Sequence, residues 1–342
     1  MIENIPLISV IMSVYNTEIV FLKEAIDSIL NQTFSNFEFI IIDDCSDGET
    51  QKILNEYKKD NRVILKRNEK NLGLTVSLNR AISLARGKYL ARMDADDICF
   101  PQRFEVEIEY LEKFSDLGVV GTSFVIMDNG REIFRGNEAY FPEQIKARLF
   151  FCNNGLLHSS VLMRRELICK ELDLLYNEEI KKSQDFDLWV RVSRKSKIFV
   201  IPIYLMKYRV SNNQISTKNK SEQIMYRKQI IRSQLFELIP ETDKIMEKLH
   251  LQLCNGDAVD SIIKLMQWTD RLKIENKKYN MFDENSFKYY LSVFAMRSAK
   301  KSLQRFQLCD YCNFFRIILE FCVNAIHFNL KNKKDRKKRY YL

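Results

Sequence analysis

Three times in the first hundred residues a short apolar run ends abruptly in a polar cluster. Leu7 to Val14 stops at Tyr15-Asn16, Phe37 to Ile42 at Asp43-Asp44, and Lys88 to Met93 at Asp94, Asp96 and Asp97. Between these runs the apolar spacing is helical: Ile19 to Asn31 carries it at 22, 25, 26, 29 and 30, and Glu49 to Lys59 and Thr75 to Arg86 follow suit, with Gly87 as the expected stop of the last helix. A further strand is expected over Arg62 to Leu65. Strands alternating with helical segments predict a mostly parallel sheet with crossover helices, an α/β architecture. In open sheets of that kind ligands sit beyond the carboxyl ends of the strands, so the three clusters should share one edge.

The third cluster constrains the chemistry most. On an extended strand residues two apart point the same way, so Asp94 and Asp96 should aim their charges at one point. Carboxylates so placed raise each other's pKa unless a cation lies between them. A hard divalent ion takes one or two carboxylates and completes its shell with water and substrate phosphates. The plainer alternative is an acidic turn capping a helix near Pro101. Neither a G-x-G-x-x-G nor a G-x-x-x-x-G-K-[ST] loop is present, which leaves no dinucleotide or P-loop signature.

Length and charge set the frame. A chain of 342 residues with 46% apolar content supports two domains, or one with an appendage. Scattered cysteines and a start (Met1 to Pro6) without a basic or apolar signal segment point to a reducing cytoplasm. No apolar run reaches the ~18–20 residues of a membrane span. Of the net charge of +9, residues 331–342 (KNKKDRKKRYYL) hold +6, so the body is near neutral and does not read as a nucleic-acid binder.

Past residue 100 a helix precedes strand-like pieces at Val119 to Ile126 and Glu132 to Phe134, around a hairpin signal at Asp128-Asn129-Gly130. Asp185 to Lys195 reads as a helix, and Ile198 to Ile201 and Tyr204 to Val210 as strands. Beyond about 216 only helical patterns remain, at roughly 220–239, 243–253, 257–275, 284–304 and 311–329. The expected division is therefore a catalytic domain over 1–215, a helical region over 216–330 and a basic tail over 331–342.

Five blocks together resemble glycosyltransferase family 2: SVIMSVYN (9–16), FEFIIIDDCSD (37–47), NLGLTVSLNRAISLARGKYLARMDADD (71–97), HSSVLMRR (158–165) and QDFDLWVRV (184–192). The resemblance covers about residues 5–215. It implies the GT-A nucleotide-sugar-binding fold and an inverting, UDP-sugar-dependent hexosyltransferase acting on a glycan, commonly lipid-linked, in capsule, O-antigen or other surface polysaccharide synthesis. It implies nucleotide-sugar contacts at Ser13, Tyr15, Asn16, Glu18, Asp44, Asn71, Asp94 and Asp96. Asp44 would read the uracil, and Mn2+ or Mg2+ would sit on Asp96 and Asp94, with Asp97 a rival. Asp185 matches the general base, which takes the proton of the acceptor hydroxyl as that oxygen attacks the anomeric carbon. The plainer role for Asp185 is that of a helix N-cap.

The chain departs from the family pattern at Gln184, where many members have Glu, and at Ser211, where many have a histidine. His158 sits where the family often places a histidine, and a hydrogen-bonded structural role is its plainer reading. Two rivals come from other classes. A nucleotidyltransferase would need a Gly-rich basic loop where Ser13 to Glu18 stands, and a catalytically dead scaffold would be expected to lack Asp96 or Asp185.

Two C-terminal features need weighing. Cys309, Cys312, Cys322 and His327 have zinc-like spacing, but on one helix Cys312 and Cys322 would lie about 15 Å apart, too far for one ion. Tyr311 to Phe328 is aromatic-rich with Phe314, Phe315, Ile317, Ile318, Leu319 and Phe321, and the basic tail follows. Such a helix suits an anionic membrane surface at the inner face of the plasma membrane, each basic residue adding about 1 kcal/mol there. The alternative is a core helix with a solvated tail.

Overall fold

The computed structural model describes residues 5–128, 130–136, 140–151, 155–170, 174–210, 220–302 and 308–336. The chain divides into two compact units, one of Met1–Phe141 with Leu156–Gln223 and the other of Pro142–Gly155 with Ile224–Leu342. Ser211, the proposed boundary near it and the end of the basic tail lie outside the described residues.

The first unit is built on a nine-stranded sheet. Its strands are β1 (Ile8–Val14), β2 (Phe37–Asp43), β3 (Val63–Arg67), β4 (Tyr89–Arg92), β5 (Ile98–Cys99), β6 (Leu117–Asp128), β7 (Arg131–Gly136), β8 (Leu162–Arg164) and β9 (Lys197–Val210). They run in the order β3-β2-β1-β4-β8-β6-β9-β5, with β7 beside β6. The first four are mutually parallel, while β8 is antiparallel to both β4 and β6. β1 and β2 are almost wholly buried and correspondingly rich in Ile and Val, as strands covered on both faces require.

Helices α1 (Ile19–Leu30), α2 (Gly48–Glu56), α3 (Leu74–Leu84), α4 (Arg103–Lys113), α6 (Arg165–Lys170) and α7 (Gln184–Lys195) belong to this unit. α1 buries Leu22, Ala25, Ile26 and Ile29 along the stripe its spacing dictates. The helix over 75–86 ends two residues early, with Ala85 already extended. Gly87 therefore serves something other than a helix stop. A Cβ there would meet Ser9 N at 2.6 Å and the Ile8 carbonyl carbon at 2.7 Å, so only glycine lets this segment lie against β1. The two strand pieces expected after α7 are one strand, β9, whose pairing with β6 shifts register around Ser123.

The second unit contains α5 (Pro142–Phe150), α8 (Lys220–Leu238, which begins just before the division), α9 (Lys244–Asn255), α10 (Ile262–Tyr279), α11 (Glu284–Ser302) and α12 (Leu308–Arg336). A single cut near 215 misses the excursion of 142–155 into this unit. The reason is aromatic: Phe150 and Phe151 pack with His250, Phe287 and Phe294 at ring separations of 5.0 to 6.4 Å. Leu308–Arg336 is one continuous helix, which keeps the backbone of Cys312 and Cys322 ten residues apart along its axis. No helix among the described residues is long and apolar enough to cross a membrane.

Candidate active site

β1 lies between β2 and β4, all three parallel, so the polar ends of these strands fall side by side on one edge. The loop after β1 leaves Tyr15, Asn16 and Glu18 exposed and Ser13 half-buried. Asn16 adopts φ 47° and laces this loop to the next: its backbone N donates to Ser46 Oγ (3.2 Å) and its Oδ1 accepts from Asp47 N (2.8 Å).

Asp43 and Asp44 have separate tasks. Asp43 is buried, accepts from Ser46 N (2.8 Å) and pairs with Arg67. Asp44 is also buried. Its Oδ1 accepts from Asn68 Nδ2 (2.6 Å) and Leu72 N (2.8 Å), and its Oδ2 from Gly73 N (2.8 Å). One carboxylate thus shapes the loop that carries exposed Asn71 and launches α3. This positioning role is local to the protein and was invisible in the sequence.

The acidic cluster is a turn and not an extension of β4. The strand ends at Arg92 and the chain turns through Ala95-Asp96 before pairing β5 with β9. The i, i+2 argument for a strand therefore does not apply to Asp94 and Asp96, because the chain must reverse to reach β9. Both remain half-buried. Asp97 is fully buried, its Oδ2 bonded to Ser159 Oγ and its Oδ1 to Arg209 N (3.0 Å). Burial raises its pKa well above the usual carboxylate range, and the charges of Asp94 and Asp96 add to that. With no exposed surface and both oxygens engaged, Asp97 is the least suited of the three to bind a metal.

Arg209 clasps this turn. Besides its backbone bond to Asp97, its Nε donates to Asp96 O (2.9 Å), and its guanidinium lies 3.9 Å above the Phe21 ring and pairs with Glu24. Beneath the turn, fully buried Arg103 donates from Nη2 to Arg92 O and Val161 O (both 3.1 Å) and pairs with Glu107. Burial works against charge on Arg92, yet Asp94 pairs with its Nη1 and keeps it protonated.

Asp185 lies at the second position of α7, half-buried; the N-cap position is held by Ser183 at φ 63°, so the capping alternative for Asp185 does not apply. A carboxylate in a helix's first turn is favoured by the helix dipole. Tyr176 links it to the acidic turn. Burial raises the Tyr176 pKa, Arg92 opposes that, and Asp185 and Asp94 reinforce it, so both carboxylates lie within electrostatic reach of one phenol.

That phenol is bonded to His158 Nε2 at 2.6 Å. Burial and the nearby Arg92 charge keep His158 neutral, and its ring meets Trp189 edge-on at 6.0 Å. Asn79 of α3 holds the Tyr176 backbone from both sides, donating to its O (2.9 Å) and accepting from its N (3.0 Å). α3 therefore connects the loop that Asp44 shapes to Tyr176.

Residues 9–172 match the profile of Glycosyl transferase family 2. An uncharacterized glycosyltransferase of Methanocaldococcus jannaschii is 36% identical over 226 residues, covering 65% of this chain and 77% of that protein. Another, from Haemophilus influenzae, is 30% identical over 320 residues, 89% of this chain and 97% of that protein. The chain belongs to glycosyltransferase family 2. The O-antigen biosynthesis glycosyltransferase WbnJ of Escherichia coli is 33% identical over 192 residues, 55% of this chain and 72% of that one. Among solved structures, TarS of S. aureus in complex with UDP superimposes with a TM-score of 0.56 at 18% identity, over 98% of this chain and 93% of that one. The same protein in complex with UDP-GlcNAc gives 0.57 at 17% identity. The fold is thus the GT-A fold with appended C-terminal helices.

For this family 2 glycosyltransferase a divalent ion fits the residues in one respect and is left incomplete in another. Asp94 and Asp96 offer hard oxygen donors, and their charges add to the burial that raises the Asp97 pKa. Among the described residues no three His, Cys, Asp or Glu side chains converge as a ready-made cage. The donor set suits an ion whose remaining ligands come from a diphosphate and water. Tyr176, Asn79, Asn68, Arg92 and Arg209 were missed in the sequence; all but Arg92, which pairs with Asp94, act through a partner 18 or more residues away.

Proposed function

We propose that this enzyme transfers a hexose-type sugar from a UDP-sugar to a glycan acceptor carried on a lipid, with inversion, in surface-polysaccharide synthesis. The observation that carries the reading is the sheet edge itself: β1 pairs in parallel with both β2 and β4, which brings the loop of Tyr15 and Asn16, the Asp44 loop and the acidic turn of Asp94 and Asp96 side by side. Two likenesses support the setting: the O-antigen role in the name of the E. coli relative and the UDP-GlcNAc bound by the S. aureus fold neighbour.

Tyr15 offers its exposed ring to a uracil, a contact worth about 1–3 kcal/mol when bases stack on aromatics. The loop of Asn71, set by Asp44, walls the nucleoside, and Asp44, buried with both oxygens engaged, acts on the uracil through that loop. Asp94 and Asp96 would hold a Mn2+ or Mg2+ ion, which as a Lewis acid stabilises the departing diphosphate. Asp185 takes the proton from the acceptor hydroxyl, whose oxygen attacks the anomeric carbon opposite the leaving group. An α-linked donor then gives a β-linked product.

A panel of nucleotide sugars incubated with the enzyme and Mn2+ or Mg2+, with nucleotide release as readout, tests the donor class. Asp185→Asn should leave UDP-sugar binding intact and lower turnover by roughly 10²-fold or more. Loss of donor affinity at an unchanged rate would place the base elsewhere.

A further inference from the structure

α12 carries two different apolar faces. One packs inward: Ile317 and Phe328 are buried, and Phe328 stacks nearly parallel on Tyr289 of α11, ring centres 3.9 Å apart. Phe321 lies against the same tyrosine at 6.3 Å, and Glu320 pairs with Lys273 of α10. The other face points outward. Phe315, Leu319, Val323 and Ile326 are 66, 66, 44 and 59% exposed, and their spacing of 4, 4 and 3 residues puts them in one line along the helix.

The remaining exposed positions between 315 and 329 are Arg316, Cys322, His327 and Asn329, and the one carboxylate beside them, half-exposed Glu320, is neutralised by Lys273. The sequence then runs directly into 331–342, with seven Lys or Arg against one Asp. Single exposed apolar residues are ordinary on a protein surface, but four in register are not.

We propose that this outward face of α12 docks on a membrane surface rich in anionic lipid, lying in the interface without crossing it. The charge pattern selects the occupant. An apolar line with no uncompensated negative charge, continued by a segment of net charge +6, complements anionic headgroups above an acyl layer. Parallel pairing of two copies along this face would instead bring two +6 segments together. The docking does not depend on which sugar or acceptor the enzyme uses.

The test uses the full chain and a new fluorophore. Both native tryptophans, Trp189 and Trp268, are buried, so Leu319→Trp adds an exposed indole on the proposed face. Ile245→Trp adds one on α9, where Ile245 is 71% exposed. Vesicles of phosphatidylglycerol and phosphatidylcholine with brominated chains should quench the indole at 319 and not the one at 245. Phosphatidylcholine alone should leave both unquenched, and raising the salt should weaken binding by about tenfold or more, because the attraction is screened. Leu319→Glu should also lower vesicle binding by about tenfold, with unchanged thermal unfolding, because that side chain packs against nothing it must keep. Equal quenching at both positions, or none at 319, would overturn the proposal. So would self-association of the native chain that Leu319→Glu abolishes, since a second copy would then cover the face.

Discussion

Replacing Asp44 by Asn tests whether the loop before α3 is held by a single carboxylate. The aspartate accepts three hydrogen bonds from donors that include two backbone N–H groups, all between 2.6 and 2.8 Å, in a buried setting. An asparagine can keep its oxygen toward Asn68 and Leu72, but its NH2 then faces the Gly73 N–H, donor against donor. One unsatisfied buried donor costs about 1–3 kcal/mol, and the two surviving bonds lose their charge assistance. The sum is about 2–4 kcal/mol, and Asp44→Ala, which strands all three donors, should cost roughly 4–6 kcal/mol. Urea unfolding followed by Trp189 fluorescence in a Trp268→Phe background reads this cost in the first unit. UDP affinity measured by calorimetry on the same proteins should fall with the loop. An Asp44→Asn midpoint within about 0.5 kcal/mol of the parent, the range of ordinary surface substitutions, would show that water satisfies these donors and that the carboxylate does not organise the loop.

Three further outcomes are expected, along with the Asp185→Asn result above. Mn2+ should raise the melting temperature of the UDP-bound enzyme, and Asp96→Ala should remove that increment along with activity; full turnover in excess EDTA would exclude the ion. Tyr176→Phe keeps the ring and loses the bond to His158, and it should lower kcat by about tenfold with donor affinity unchanged, the signature of a group that acts in the transition state. A change confined to donor KM would instead assign Tyr176 to nucleotide binding. His250 is buried with Nδ1 unpartnered, and burial lowers its pKa to about 3. The unfolded chain therefore binds a proton below pH ~6.5 that the folded one refuses. The stability this neutral imidazole supplies is full above that pH and falls by up to about 1.4 kcal/mol per pH unit on the way to pH ~3. Denaturant titrations of the native chain and His250→Leu across that window should show a steeper fall in the native protein, the slope that remains in the variant coming from other groups such as His158, which burial also keeps neutral.

The sequence by itself determined the alternation of elements, the strand ends on which the site is built and the helical character of the last third. Those features rest on local periodicity: buried strands such as Phe37–Asp43 are continuous apolar runs, and α1 buries the stripe its spacing dictates. The sequence also supplied every acidic residue of the candidate site, because polar groups at strand ends stand out against apolar runs. Tertiary structure decided what each of them does. Asp96 and Asp97 are neighbours of one chemistry, yet Ser159 and Arg209, remote in the chain, bury and occupy one while the other stays half-open. Asp44 became the organiser of a loop because Asn68, Leu72 and Gly73 fold back over it. Tyr176 entered the site only because Asn79 and His158, 97 and 18 residues away, hold it there. The same holds for α12, whose apolar residues formed a single set in the sequence and two faces in the structure. Periodicity fixes which residues share a face, but whether that face meets Tyr289 or solvent depends on partners far along the chain, and no local pattern encodes them.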